Sequence, residues 1–185
     1  GLYYAGSWVI EAFGASYEGS GWTPPTAGRD GNIDIWLEIA IGTILLASVS
    51  GIVELKSQGL FSKDPEGVYE IDWELVIFPD DKTLHWVSYD SMVDMIVEDG
   101  QRVEQGQQLG QGAPARINRF EWGIRRLVGP DGERMSGGKP WVVCPEHTLI
   151  PEHQEFLKRA LEQMEKLGFP SVDSTCLLAE FREGE

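Results

Sequence analysis

Histidine is scarce in this chain: 185 residues hold three, His85, His147 and His153. None stands in a His-x-His or His-x-x-x-His spacing. A hydrolytic zinc centre usually takes about three protein ligands from His, Asp, Glu or Cys and keeps an open position for water, so no familiar zinc motif is present. Cysteine is scarcer still. Cys144 and Cys176 have no metal-type spacing, and they permit one disulfide without requiring it. Basic residues are outnumbered, 15 Lys and Arg against 30 Asp and Glu, for a formal net charge of -15. Nucleic acids and anionic membrane surfaces are recognised by clustered Lys and Arg, so neither is expected as a partner. Long apolar runs are missing too. The longest, Ile39 to Val49, contains Gly42 and Ser48 and falls short of the roughly 20 residues that cross a bilayer. No membrane insertion is expected. The chain begins at Gly1, so the lack of a targeting segment says nothing about compartment.

Aromatics and glycine are plentiful: seven Trp, seven Phe, five Tyr and 22 Gly. That suits short strands, many tight turns and an ample core. Residues 1–29 are turn-rich and include Thr23-Pro24-Pro25-Thr26, which fits neither regular helix nor central strand. They read as an irregular lead-in. Residues 30–128 read as a β domain. Ile33, Ile35 and Leu37 alternate, Thr43–Ala47 and Gly51–Leu55 are short apolar runs, and Tyr69–Phe78 is a long strand signal. Pro79-Asp80-Asp81-Lys82 ends it as a turn, with Thr83–Tyr89 as hairpin partner. Residues 129–185 form an extension that opens with a Gly-rich loop. It carries one helix over 151–167, with Pro151 at its start and Gly168 and Pro170 beyond its end. Phe156, Leu157, Ala160, Leu161, Met164 and Leu167 make one apolar stripe, expected to pack on the β domain.

Val97, Val103 and Leu109 recur every six residues, with Gly100 and Gly106 between them. On extended chain an even spacing places side chains on one face, and the glycines supply the positive φ of tight turns. Such a stretch also occurs in swinging-arm carriers, but those need a Lys at a hairpin tip, and no Lys lies between Lys82 and Lys139.

Three stretches in order resemble the LytM/lysostaphin-type peptidoglycan zinc endopeptidases. Asp30-Gly31-Asn32-Ile33-Asp34-Ile35, with Gly42-Thr43, Ala47 and Gly51-Ile52-Val53 after it, is similar to that family's H-x-G-I-D-I and G-T-P-V-x-A-x-x-x-G-x-V segments. Gly100 to Gly110 resembles its V-x-x-G-x-x-V-x-x-G-x-x-I-G. Arg119-Phe120-Glu121 resembles the end of H-x-H-F-E. The resemblance implies a mostly β fold: an antiparallel, sandwich-like duplicated hybrid motif with one C-terminal α-helix.

It does not carry the family's chemistry. The zinc-ligand positions fall on Asp30, Asp34 and Arg119, and only Asp34 matches. The catalytic His of H-x-H falls on Ile117, and the other catalytic His on Ser91, or on Tyr89 if the register slips by two. The site is therefore expected to be degenerate, without metal or cofactor, and Arg119 is expected to pair with Asp34 as an internal cation in place of zinc. Asp30 and Asp34 could alternatively act as an acid–base pair or bind Ca²⁺; remnants of a lost site is the preferred reading. Trp36, His85, Trp86 and Trp122 could line a former groove, against the plainer reading of core or surface residues. Cys144-Pro145-Glu146-His147 could hold a thiolate and its base; a structural cysteine is the plainer reading. The function expected is a catalytically inactive cell-envelope module that binds peptidoglycan or an envelope protein. The alternative is a divergent metal-dependent hydrolase with ligands relocated to residues such as Asp34 and His85, which would require zinc.

Overall fold

A computed structural model of the chain describes residues 10–11, 16–18, 21–23, 35–39, 42–62, 69–79, 85–112, 119–128, 141–166 and 181–182. Among them the chain is mostly antiparallel β with one α-helix. The strands are β1 (Ile10–Glu11), β2 (Ser16–Glu18), β3 (Gly21–Thr23), β4 (Ile35–Glu38), β5 (Ile44–Leu46), β6 (Gly51–Ser62), β7 (Tyr69–Pro79), β8 (His85–Val93), β9 (Arg102–Val103), β10 (Gln108–Gly112), β11 (Arg119–Arg126), β12 (Trp141–Val143) and β13 (Phe181–Arg182). A 3-10 turn covers Pro145–Thr148, and α1 covers Pro151–Lys166.

The chain divides into two compact units, Gly1–Trp8 with Leu37–Trp122, and Val9–Trp36 with Gly123–Glu185. The first is organised by the β6–β7 hairpin, paired from Gly51↔Pro79 to Ser62↔Tyr69. β8 pairs on the far side of β7, and β9 pairs with β6 at Gly51 and Ile52. β10 pairs with both β5 and β8. Val53, Leu75, Ile77, Val87 and Tyr89 alternate onto one face of this sheet, and all are buried. β6 runs well past Leu55, where the apolar pattern stops. Lys56, Ser57, Gln58 and Gly59 are polar or small, and they are exposed, so no hydrophobic alternation marked them as strand.

The 97–110 stretch differs from the extended chain its spacing suggested. It contains two copies of one turn. Gln101 N–H donates to Glu98 O, and Gln107 N–H donates to Glu104 O. Gly100 and Gly106 hold the third position at φ of 76° and 84°, the left-handed geometry that glycine adopts freely. In each copy the Gln side-chain oxygen accepts from the first turn residue's N–H, Glu98 or Glu104. Each turn is bonded in both directions to one residue of the chain beside it. Gly100 and Gln101 exchange bonds with Val53, while Gly106 and Gln107 exchange bonds with Ala47. Val97, Val103 and Leu109 do share a buried side, because the turn repeats rather than because the chain is straight.

The second unit holds the β2–β3 hairpin, the C-terminal part of β11 paired to β12, and β13 paired to β12. Cys144 is fully buried and disulfide-bonded; the chain's one other cysteine is Cys176. A disulfide sulfur cannot serve as a thiolate, which removes the Cys144–His147 nucleophile. The expected helix is present, its first turn closed by His153 and Gln154 N–H donating to Ile150 O. Leu157 of the apolar stripe is buried; the side chains of Phe156, Ala160, Leu161 and Met164 lie outside what the structure describes. No helix among the described residues is long and apolar enough to cross a membrane.

Candidate functional site

The motif stretches lead into strands that lie side by side. β4, which starts one residue after Asp34, neighbours β11, which starts at Arg119, and β11 neighbours β8, which carries Ser91, His85 and Trp86. Asp30, Asp34 and Ile117 lie outside the described residues, and Arg119 and Trp36 are described by backbone alone. The expected Arg119–Asp34 pair therefore lies outside the described residues as well.

Ser91 and Tyr89, the two registers considered for one catalytic histidine, are fully placed. A two-residue step on β7, Trp73 to Leu75, faces a three-residue step on β8, Met92 to Tyr89. The extra residue makes a β-bulge around Asp90 and Ser91. Ser91 adopts φ 63°, a left-handed conformation uncommon outside glycine. Its N–H is turned onto the Asp90 carboxylate at 2.7 Å, and the residue is 3% exposed. A second bulge faces the first across β7: β6 gains Gln58 between Ser57↔Trp73 and Gly59↔Asp72. Both strands flanking Trp73 thus carry an inserted residue, which sharpens the local twist.

Tyr89 points into the core, against the ring of Phe120 at 6.0 Å. Its hydroxyl oxygen accepts from Ser48 N–H at 2.7 Å and lies 2.7 Å from Ser48 Oγ. Burial pushes the phenol up to about 12, only partly opposed by the Ser48 hydrogen bonds. The group is a fastener between β8 and the 46–48 segment. The sequence marks this position only as a slipped histidine. Nothing in it pairs Tyr89 with Ser48, 41 residues away.

The aromatic candidates do not gather on one side. Phe78 and Trp86 meet with ring centroids 6.0 Å apart, and Ile52 is paired with Phe78. Trp86 is out of phase with Val87 and Tyr89, so it faces away from that core layer. Trp122 follows Phe120 by two residues along β11 and so shares the Phe120 side. Alternation sets Trp86 and Trp122 on opposite faces. His85 is half-buried on β8 and has an interaction partner. No group of three or more His, Cys, Asp or Glu among the described residues is placed to hold a metal ion. Asp72 is half-buried, with Oδ1 unpartnered, and burial raises its pKa.

No sequence-family model matches the chain, and no curated protein matches it. Solved structures similar to it include peptidases. One is the catalytic domain of a point mutant of EnpA, a prophage-encoded M23 protein from Enterococcus faecalis. It has 22% identity and a TM-score of 0.42, over 68% of this chain and 98% of that one. Another is the catalytic domain of the antimicrobial peptidase lysostaphin from Staphylococcus simulans. It has 14% identity and a TM-score of 0.46, over 70% and 88%. A third is a SpoIIIAH–SpoIIQ complex, with 18% identity and a TM-score of 0.46, over 77% and 93%.

Proposed function

We propose that the chain is a non-catalytic binding or regulatory module of the cell envelope, built on a LytM/lysostaphin-like scaffold. The observation that carries this reading is the state of the acid–base position. In either register the group there is buried and committed. Ser91 is packed in a bulge, and the Tyr89 hydroxyl is bound to Ser48 and titrates far above neutrality. General acid–base catalysis typically contributes about 10²- to 10⁴-fold and needs a pKa near the working pH. The identities of Ile117 and Arg119, where the resemblance expects histidines, support the same reading. A fixed guanidinium is no metal ligand. A module of this kind takes peptidoglycan or an envelope protein as its partner.

The test is digestion of purified cell walls with and without added zinc. The expected outcome is no release of new amino termini above a buffer blank. Zinc-dependent release would overturn the proposal in favour of a hydrolase with relocated ligands.

A further inference from the structure

β6 is a long strand with one half of its outer edge closed and, among the described residues, the other half open. Val53 exchanges both backbone bonds with Gly100 and Gln101, so its N–H and C=O point away from β7. Leu55 N–H also points outward and donates to Asp99 Oδ1 at 2.9 Å. Alternation carries the same outward orientation to Ser57. Beyond the Gln58 bulge it passes to Leu60, because Leu60 is opposite Ile71, in phase with Trp73, Leu75 and Ile77 along β7. β9 ends its pairing at Gly51 and Ile52. No described residue bonds the outward groups of Ser57 and Leu60, and residues 56–60 are exposed throughout. An unpaired row of this kind is a template for another strand.

The surroundings select the partner's charge. The open half of β6 carries Lys56 and is followed by Lys63, while the β7 residues paired with it include Glu70, Asp72 and Glu74, with Glu54, Glu98 and Asp99 at the near end. Glu74 accepts from Gln58 Nε2 at 2.9 Å, and the stretch as a whole keeps an acidic excess. Lys56 is already engaged by Glu54 at 3.2 Å. Leu60 and Ile71, a directly paired and exposed couple, offer apolar contact on one face. A second copy of this chain would bring its own -15 to the same edge, which disfavours self-pairing.

We infer that the outer edge of β6 at Ser57–Leu60 accepts an extended segment of a partner protein, a strand with Lys or Arg at alternate positions. This deepens the binding-module reading and rests on it, narrowing the partner to a protein.

The experiment uses the full chain and two synthetic strand-forming peptides of alternating Val and Thr. One carries Lys at the remaining positions and the other carries Glu. Amide hydrogen exchange at Ser57 and Leu60 is followed with each peptide. Slowed exchange is expected with the Lys peptide, and binding about tenfold or more weaker with the Glu peptide. Ser57→Pro removes an outward donor without touching a β6–β7 bond, so it should abolish Lys-peptide binding and leave the melting temperature in place. If that variant melts early, exchange on the unaltered chain decides alone. The inference is overturned by no protection with either peptide, by equal protection with both, or by protection that appears on concentrating the chain alone. None of these readouts depends on the cell-wall digestion that tests the parent reading.

Discussion

The two halves of the β6–β7 hairpin are built from one continuous pairing, yet they do opposite things. In the near half, Val53, Leu75 and Ile77 are buried, and the outer edge is closed by the Glu98–Gln101 turn and β9. In the far half, Leu60 is 68% exposed, no described residue pairs with the outer edge, and a bulge interrupts the register. Pairing alone therefore does not fix what a hairpin contributes. The near half is stabilised by what covers its face and edge, while the far half extends past that cover and is exposed over residues 56–60.

The sharpest way to break this contrast is truncation at matched positions. Leu75→Ala, at a site with 0% exposure, should cost about 2–5 kcal/mol in urea denaturation. Leu60→Ala should stay within about 0.5 kcal/mol. Equal losses would mean that the far half is covered in solution.

A second, smaller effect concerns the fastener behind Leu75. Tyr89→Phe leaves the Ser48 N–H without its acceptor and should cost about 1–3 kcal/mol. The pH dependence follows from the raised phenol. The folded chain holds its proton to about pH 12 while the unfolded chain releases it near the ordinary 10.0. The folded state binds more protons in that window, so stability is intact below pH 10 and falls as pH rises towards about 12. Denaturation midpoints across that window should fall for the native chain, and this component should vanish in Tyr89→Phe.

The turn that closes the near edge and its copy at Ala47 can be tested one at a time. A methyl group at Gly100 or Gly106 would meet nothing within 4 Å, so alanine there exposes backbone strain alone. Each change should cost about 1 kcal/mol. The two should add, since one turn is fastened to Val53 and the other to Ala47. The smallest effect is of opposite sign. Ser91→Gly relieves a left-handed serine and should raise the melting temperature, by up to about 1 kcal/mol in stability, without changing peptide binding at the β6 edge.

What the sequence made legible follows what side chains report. The β class, the β7–β8 hairpin, the helix from Pro151 and the turn glycines were readable, because hydrophobic alternation, proline and glycine each mark a local backbone choice. The far half of β6 was not, since Lys56 to Gly59 carry no apolar signal. The bulges were hidden for a different reason. An inserted residue is a property of two strands compared, and Gln58 and Ser91 look ordinary when each strand is read alone. Of the candidate site, Ser91, His85, Trp86 and Trp122 have described side chains, and their faces were set by the Asp90–Ser91 bulge and by strand phase rather than by motif. Tyr89 is the instructive residue. Its position is marked by the family resemblance, but its role depends on a serine 41 residues away.

The repeated turns also make the 97–110 arm behave as a ratchet. Sliding it by one residue would break the paired bonds at Val53 and at Ala47 together, and would carry Val97, Val103 and Leu109 out of their seats. A slide of six residues is the first that offers Val53 an equivalent turn, that of Glu104 to Gln107. The arm thus has a tooth six residues long, and a slip by one tooth would refill the seat at Val53 while leaving Ala47 with neither turn.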